Sequence, residues 1–226
     1  MKNWALNYKK VLNAGRDGCF KQDERKKGFN QMKEKILGAF DESAQVKMKF
    51  AAENAALIEE VSRMIAESFS MGKKLLLFGN GGSSTDASHI AAEFANRLKM
   101  ERPPLPALAL NTDMAVITSI ANDYDFSDIY AKQLKALAEE GDVAMAISTS
   151  GGSPNILKAM DVARKKKLRT VALTGLKGVK FATKAEFAFV VPSQETPRIQ
   201  ETHITLGHIL CQMVEEILFE APRKRK

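Results

Sequence analysis

One pattern occurs twice in this chain of 226 residues: an apolar run stops at a loop of glycines and hydroxyls, then resumes as a helix. The first copy is LLLFGNGGSSTDASHIAAEFA, residues 75–95, and the second is VAMAISTSGGSPN, residues 143–155. Leu75–Gly79 and Val143–Ile147 have the length and character of strands buried on both faces of a parallel sheet. A loop between such a strand and a helix start exposes backbone N–H groups that the helix itself cannot satisfy. They point at whatever anion sits there, and the helix dipole favours negative charge. Ser153 suits the N-cap of the second helix and Pro154 its first position. Neither loop reads GxxxxGK[ST] or GxGxxG, so a nucleoside triphosphate or dinucleotide is not indicated.

The remaining chain fills in around this repeat. Apolar residues recur at helical spacing from Ser43 to Phe69, and Gly72 is a stop signal. Strands are expected at Ala107–Leu110, Val171–Thr174 and Phe187–Val191. Asn111, Thr112 and Asp113 form an N-cap cluster for a helix over Met114–Ala121. Asn122–Asp125 reads as a polar turn, Phe126–Glu140 and Asn155–Lys166 as helices, and Gly175–Gly178 as a turn. A last helix runs from about Arg198 to Phe219. Strands alternating with helices predict an α/β fold, a doubly wound parallel five-stranded sheet flanked by helices. Ligands of such sheets bind beyond the carboxyl ends of the strands, where both loops lie. Residues 1–42 are expected to form a basic, helical N-terminal extension, of which 1–40 read as an irregular, Lys-rich segment with one or two short helices and a turn at Gly15–Gly18. Residues 43–220 form the main domain, and 221–226 a basic tail.

Charge has to be located before it means anything. The formal net charge of +7 comes from the ends: residues 1–36 hold ten Lys/Arg against four Asp/Glu, and 223–226 add four more. Residues 37–222 hold twenty basic and twenty-three acidic residues. No nucleic-acid partner is therefore expected of the main domain. Two cysteines without paired spacing, Cys19 and Cys211, argue against a disulfide scaffold and fit a reducing cytoplasm. No apolar run reaches the ~20 residues that span a bilayer, and the N-terminus lacks the apolar stretch of a signal peptide.

His89 and Glu93 stand one turn apart on one face of the helix that follows the first loop. A phosphate cradle with an imidazole–carboxylate pair suggests a phosphorylated small molecule undergoing proton chemistry. The other two histidines, His203 and His208, are five residues apart, roughly 140° around a helix, so they cannot both face one site.

GNGGSSTDASHIAAEF, ANDYDF, AISTSGGSPN, ALTG and PRIQETHITLGHIL together resemble the sugar isomerase (SIS) domain, and within it the phosphoheptose isomerase family. The resemblance covers about residues 45–220, in order. It implies a cytoplasmic homotetramer that interconverts sedoheptulose 7-phosphate and D-glycero-D-manno-heptose 7-phosphate, opening ADP-heptose synthesis for lipopolysaccharide core or other heptose glycans. It places phosphate binding on Ser148, Thr149, Ser150 and Ser153, and sugar contacts on Asn80, Gly81, Gly82, Glu93, Asn122, Asp123 and Gln200. The acid/base pair would be Glu93 and His208, with His203 structural. One zinc per subunit would use His89, Glu93, Gln200 and His208. Carboxylates and imidazoles suit the proton transfer of an aldose–ketose shift, and zinc accepts both as ligands. Gln200 and His208, however, lie eight residues or roughly 12 Å apart on a continuous helix. Either Gln200 precedes the helix and folds back, or the ligands come from different subunits.

The stretch RPPLPALALNTD…IANDYDFSDIYAKQL also resembles a cousin, the non-catalytic SIS protein that associates with the bacterial replication initiator. The presence of Glu93 and His208 favours the enzyme over that cousin, and Glu93 disfavours a mere sugar-phosphate sensor.

Overall fold

A computed structural model describes residues 22–220, with side chains from residue 30 onward. Gly15–Gly18, Cys19 and the basic tail lie outside the described residues. The chain divides into two units, Met1–Glu42 and Ser43–Lys226.

Helix α1 spans Gln22–Ser70, 49 residues. The helical extension expected is thus found, but from residue 22 it is one continuous helix rather than short helices in an irregular segment. Lys, Arg, Glu, Gln and Met, all good helix formers, make up about half of residues 22–42, and Gly28 and Gly38 each cost only about 1 kcal/mol without ending a helix. Burial begins at Ser43 and Phe50 and is densest over Val61–Phe69. At the far end Gly72 takes φ 72°. Gly72 N–H donates to Phe69 O and Lys73 N–H to Ser68 O, a Schellman stop that turns the chain straight into β1.

The strands are β1 (Leu75–Gly79), β2 (Ala107–Ala109), β3 (Val143–Ile147), β4 (Arg169–Gly175) and β5 (Phe187–Val191), all parallel in the order β2-β1-β3-β4-β5. Between them run α2 (Gly82–Ala95), α3 (Met114–Asp123), α4 (Ile129–Leu137), α5 (Pro154–Lys165) and the short α6 (Val179–Ala182). The last helix, α7, covers Thr196–Phe219. Alternation along the strands sends Leu75, Leu77, Met145, Leu173 and Phe189 into one core with α1, α2 and α7. Leu76, Phe78, Ala144, Ala146 and Ala172 face the other way, onto α4 and α5. The expected five-stranded doubly wound sheet is the one found.

Three local readings change. Asn122 and Asp123 close α3 rather than opening a turn. The helix expected from Phe126 is a 3-10 turn, Phe126–Asp128, capped by the Asp125 carboxylate on Ser127 N–H at 2.7 Å, followed by α4. The turn at Gly175–Gly178 continues into α6, which was not expected.

β1 and β3 are neighbours although β2 lies between them in the chain, with Gly79 level with Ile147. Parallel sheets open a crevice where the strand order reverses in this way. Both glycine loops empty into it.

Candidate active site

The first loop turns at Gly81, whose φ of 55° and ψ of −125° suit only glycine. Behind it the Ser84 and Thr85 hydroxyls donate to Gly81 O at 2.7 Å and Gly82 O at 2.6 Å. The buried Tyr130 hydroxyl donates to Gly79 O. Gly82 leaves room for Gln200, since a Cβ there would stand 2.3 Å from the Gln200 Nε2.

The second loop is built the other way round. Ser148 Oγ accepts Gly151 N–H at 3.1 Å, and Ser150 Oγ accepts Gly152 N–H at 3.4 Å. A hydroxyl that accepts still keeps its own proton to donate. Ser153 holds the N-cap position of α5 with Pro154 behind it, as expected, yet makes no side-chain capping bond. The Asn155 Oδ1 bonds Ile156 N–H instead, at 3.0 Å. The two loops are tied together by the amides of Asn80 and Asn155, which pair reciprocally at 2.9 and 2.8 Å.

α2 and α7 run parallel beside this crevice. Gly82 meets Gln200, Ile90 meets Gly207, and His89 meets His208. A Cβ on Gly207 would stand 2.5 Å from Ile90 Cδ1, so this glycine sets how closely the helices approach. His89 Nε2 lies 3.2 Å from Glu93 Oε1 and 3.4 Å from His208 Nε2, with the two rings 5.0 Å apart. One ligand atom from each of His89, Glu93 and His208 fits within 4.8 Å, and His89 is exposed while the other two are half-buried. Two imidazoles and a carboxylate with an open side form a donor set that suits zinc.

His203 is fully buried on α7, its Nε2 3.4 Å from Thr174 O and its Nδ1 without a partner. Burial pushes its pKa down to about 4. Gln200 is in the second turn of an unbroken α7, so it does not precede the helix and fold back. The Gln200 amide lies over the first glycine loop. Asn122 and Asp123 are exposed at the end of α3 and hydrogen-bond to each other at 2.9 Å.

Several further residues beside the site were not expected from the sequence. Asn155 had a signal, an Asn in the second loop to match Asn80 in the first. So did Asp86, three residues before His89 and seven before Glu93 on one helix face. Its Oδ2 is buried without a partner, and burial, partly offset by His89, pushes its pKa up to about 6. Arg102 and Glu215, a buried pair at 3.0 Å, are 113 residues apart and had no local signal.

This fold has known counterparts. The SIS domain pattern matches residues 40–175. A phosphoheptose isomerase of Thermodesulfovibrio yellowstonii is 61% identical over 87% of this chain and 98% of its own length. One from Aquifex aeolicus is 50% identical over 84% and 99%. The solved phosphoheptose isomerase of Neisseria gonorrhoeae superposes with a TM-score of 0.77 at 34% identity, covering 82% of this chain and 99% of that one. The class is therefore the SIS domain. Within it, the chain belongs to the phosphoheptose isomerase family, and the protein is an isomerase acting on a heptose phosphate rather than a non-catalytic cousin.

Proposed function

We propose that this isomerase converts D-sedoheptulose 7-phosphate to D-glycero-D-manno-heptose 7-phosphate, the first step toward ADP-heptose for lipopolysaccharide core or another heptose glycan. The observation that carries the reading is the convergence of His89, Glu93 and His208 beside a crevice rimmed by two anion-friendly loops. Ser148, Thr149, Ser150 and Ser153 bind the phosphate, with donated hydroxyl protons and the N-terminal dipole of α5. Asn80, Gly81, Gly82, Asn122, Asp123 and Gln200 contact the sugar.

In the reaction the Glu93 carboxylate takes a proton from C1 of the ketose, giving an enediol, and returns it to C2. His208 protonates the carbonyl oxygen as the enediol forms and takes the proton from the other hydroxyl as it collapses. His89 hydrogen-bonds Glu93 and holds it toward His208. His89, Glu93 and His208 are the residues that would hold zinc, and zinc bound there would polarise the substrate carbonyl as a Lewis acid. Nε2 of His208 cannot ligate and carry the transferred proton at once, so removing metal separates the two uses.

The enzyme works as a cytoplasmic homotetramer with shared sites. Three features support self-association. Asn122 and Asp123 are exposed, and Gln200 lies two turns before His208 on α7. An apolar groove of about 540 Å³ also lies between α1 and α7, lined by Ala51, Ala55, Ile58, Ile209, Met213 and Ile217. A cytoplasmic site agrees with the free, buried Cys211.

Purified protein should turn over sedoheptulose 7-phosphate. If a chelator abolishes turnover and zinc restores it, the metal assists; turnover unchanged by chelation assigns the chemistry to Glu93 and His208 alone. No turnover of this ketose, with turnover of another sugar phosphate, would overturn the substrate assignment.

A further inference from the structure

Glu93 stands on the last turn of α2. Helix ends are where carbonyls lack intrahelical partners and where local opening starts. A side chain that meets His89 at 3.2 Å and stands within 4.8 Å of His208 is badly placed there unless something holds the turn. One side chain does. Arg102 Nη2 donates to Glu93 O at 2.9 Å, and Nη1 donates to Phe94 O at 2.7 Å, Asn96 O at 3.2 Å and Pro103 O at 3.1 Å. Its Nε donates to Glu215 Oε1 at 3.0 Å. Glu215 in turn accepts the N–H groups of Leu98, Lys99 and Met100 at 2.9, 3.2 and 3.4 Å.

Glu215 belongs to α7. It follows His208 by seven residues, two turns, and so shares that helix face. A continuous path therefore runs from His208 along α7 to Glu215, across to Arg102, and onto the main-chain carbonyl of Glu93. Packing of Ile90, Phe94, Leu206 and Leu210 already presses α2 onto α7. Such packing resists separation but defines axial register poorly, because apolar contact is non-directional. Hydrogen bonds to named carbonyls are directional and do define it. The side chains of Arg102 and Glu215 are 0% and 2% exposed. Buried pairs of this kind are poor sources of stability, because desolvation consumes most of the attraction. What the pair adds is position.

We propose that the Arg102–Glu215 pair is a positioning clamp that sets the last turn of α2, and with it Glu93, in register with His208 on α7. The functional half of this inference rests on Glu93 and His208 being the acid/base pair. The geometric half does not.

The test uses Arg102→Lys, which keeps the charge and loses the fork, and Glu215→Gln, which keeps the volume and loses the charge. Leu134→Ala, in the core on the opposite face of the sheet, serves as a destabilised control away from the clamp. Two readouts are needed. One is kcat and KM for sedoheptulose 7-phosphate. The other is the proton cross-relaxation between the His89 and His208 rings in metal-free protein. Both clamp variants should lose at least tenfold in kcat with KM within about threefold, because the second loop is untouched. The ring-to-ring signal should weaken in both and persist in Leu134→Ala. An unchanged ring signal or an unchanged kcat in a folded clamp variant overturns the proposal, as does an equal loss of kcat in the control. If Arg102→Lys does not fold, Glu215→Gln decides. If the wild type turns over no ketose 7-phosphate, the functional reading fails, and the ring signal alone still accepts or rejects the clamp.

Discussion

The two strand–loop–helix units look alike in sequence and differ in which way their hydroxyls point. In the first, Ser84 and Thr85 donate backward to the loop's own carbonyls, so their protons are already used. In the second, Ser148 and Ser150 accept backbone N–H groups, and Ser153 caps nothing. Their protons remain available to an anion. The first unit also carries His89 and Glu93 on its helix, while α5 of the second carries no comparable pair. On the proposed assignment the repeated motif divides its labour: one copy supplies reacting groups and the other a phosphate cradle.

The largest effect should come from the reacting groups. Glu93→Gln and His208→Ala should each lower kcat by about 10²–10⁴-fold, the usual cost of losing a general acid or base, while substrate still binds. Near-normal turnover by Glu93→Gln would remove the first unit from the chemistry. Next comes the cradle. Ser150→Ala with Ser153→Ala forfeits two bonds to a charged group, at about 1.5–3 kcal/mol each, so KM should rise about a hundredfold or more. Ser84→Ala with Thr85→Ala should move KM by less than about threefold. Equal effects in the two double variants would erase the distinction between the loops.

His203 sharpens the comparison from beneath the second unit, because it bonds the end of β4 rather than facing the crevice. It is buried neutral, with its pKa lowered to about 4 from 6.5. Below about pH 6.5 the unfolded chain takes up a proton that the folded one refuses until about pH 4. Stability is therefore full above this window and falls as pH drops through it, by roughly 3 kcal/mol in all. His203→Leu should flatten that part of the profile in denaturant titrations and keep most of the activity. The smallest effect should be a difference between glycines. Gly81→Ala and Gly151→Ala both incur backbone strain of about 1–3 kcal/mol. At Gly151 the new Cβ also meets Gly178 Cα at 2.6 Å, whereas Gly81 faces open space. Gly151→Ala should therefore melt at the lower temperature.

Much of this was legible without coordinates. The five strands, the Ser153–Pro154 helix start, the Gly72 stop and the shared face of His89 and Glu93 all follow from contacts within about four residues along the chain. The separation of His203 from His208 followed from helical angle alone, and the first is buried while the second meets His89. Residues 22–42 belong to the helical extension expected and carry Met32, Ile36, Leu37 and Phe40 at helical spacing; what local signals did not give is that α1 runs unbroken from residue 22. Their side chains are exposed where described, yet α1 includes them.

By itself, then, the sequence determined the local elements, the two loops and the kinds of chemical group the site could hold. Only the tertiary structure decided which groups meet. His89 and His208 are 119 residues apart in the chain, Asn80 and Asn155 75, and Arg102 and Glu215 113. No periodicity encodes such pairings, because they depend on strand order and on how closely α7 approaches α2 across Gly207. The same holds for Gln200: its identity was plain from the sequence, but an unbroken α7 directs it to the first glycine loop, two turns short of His208.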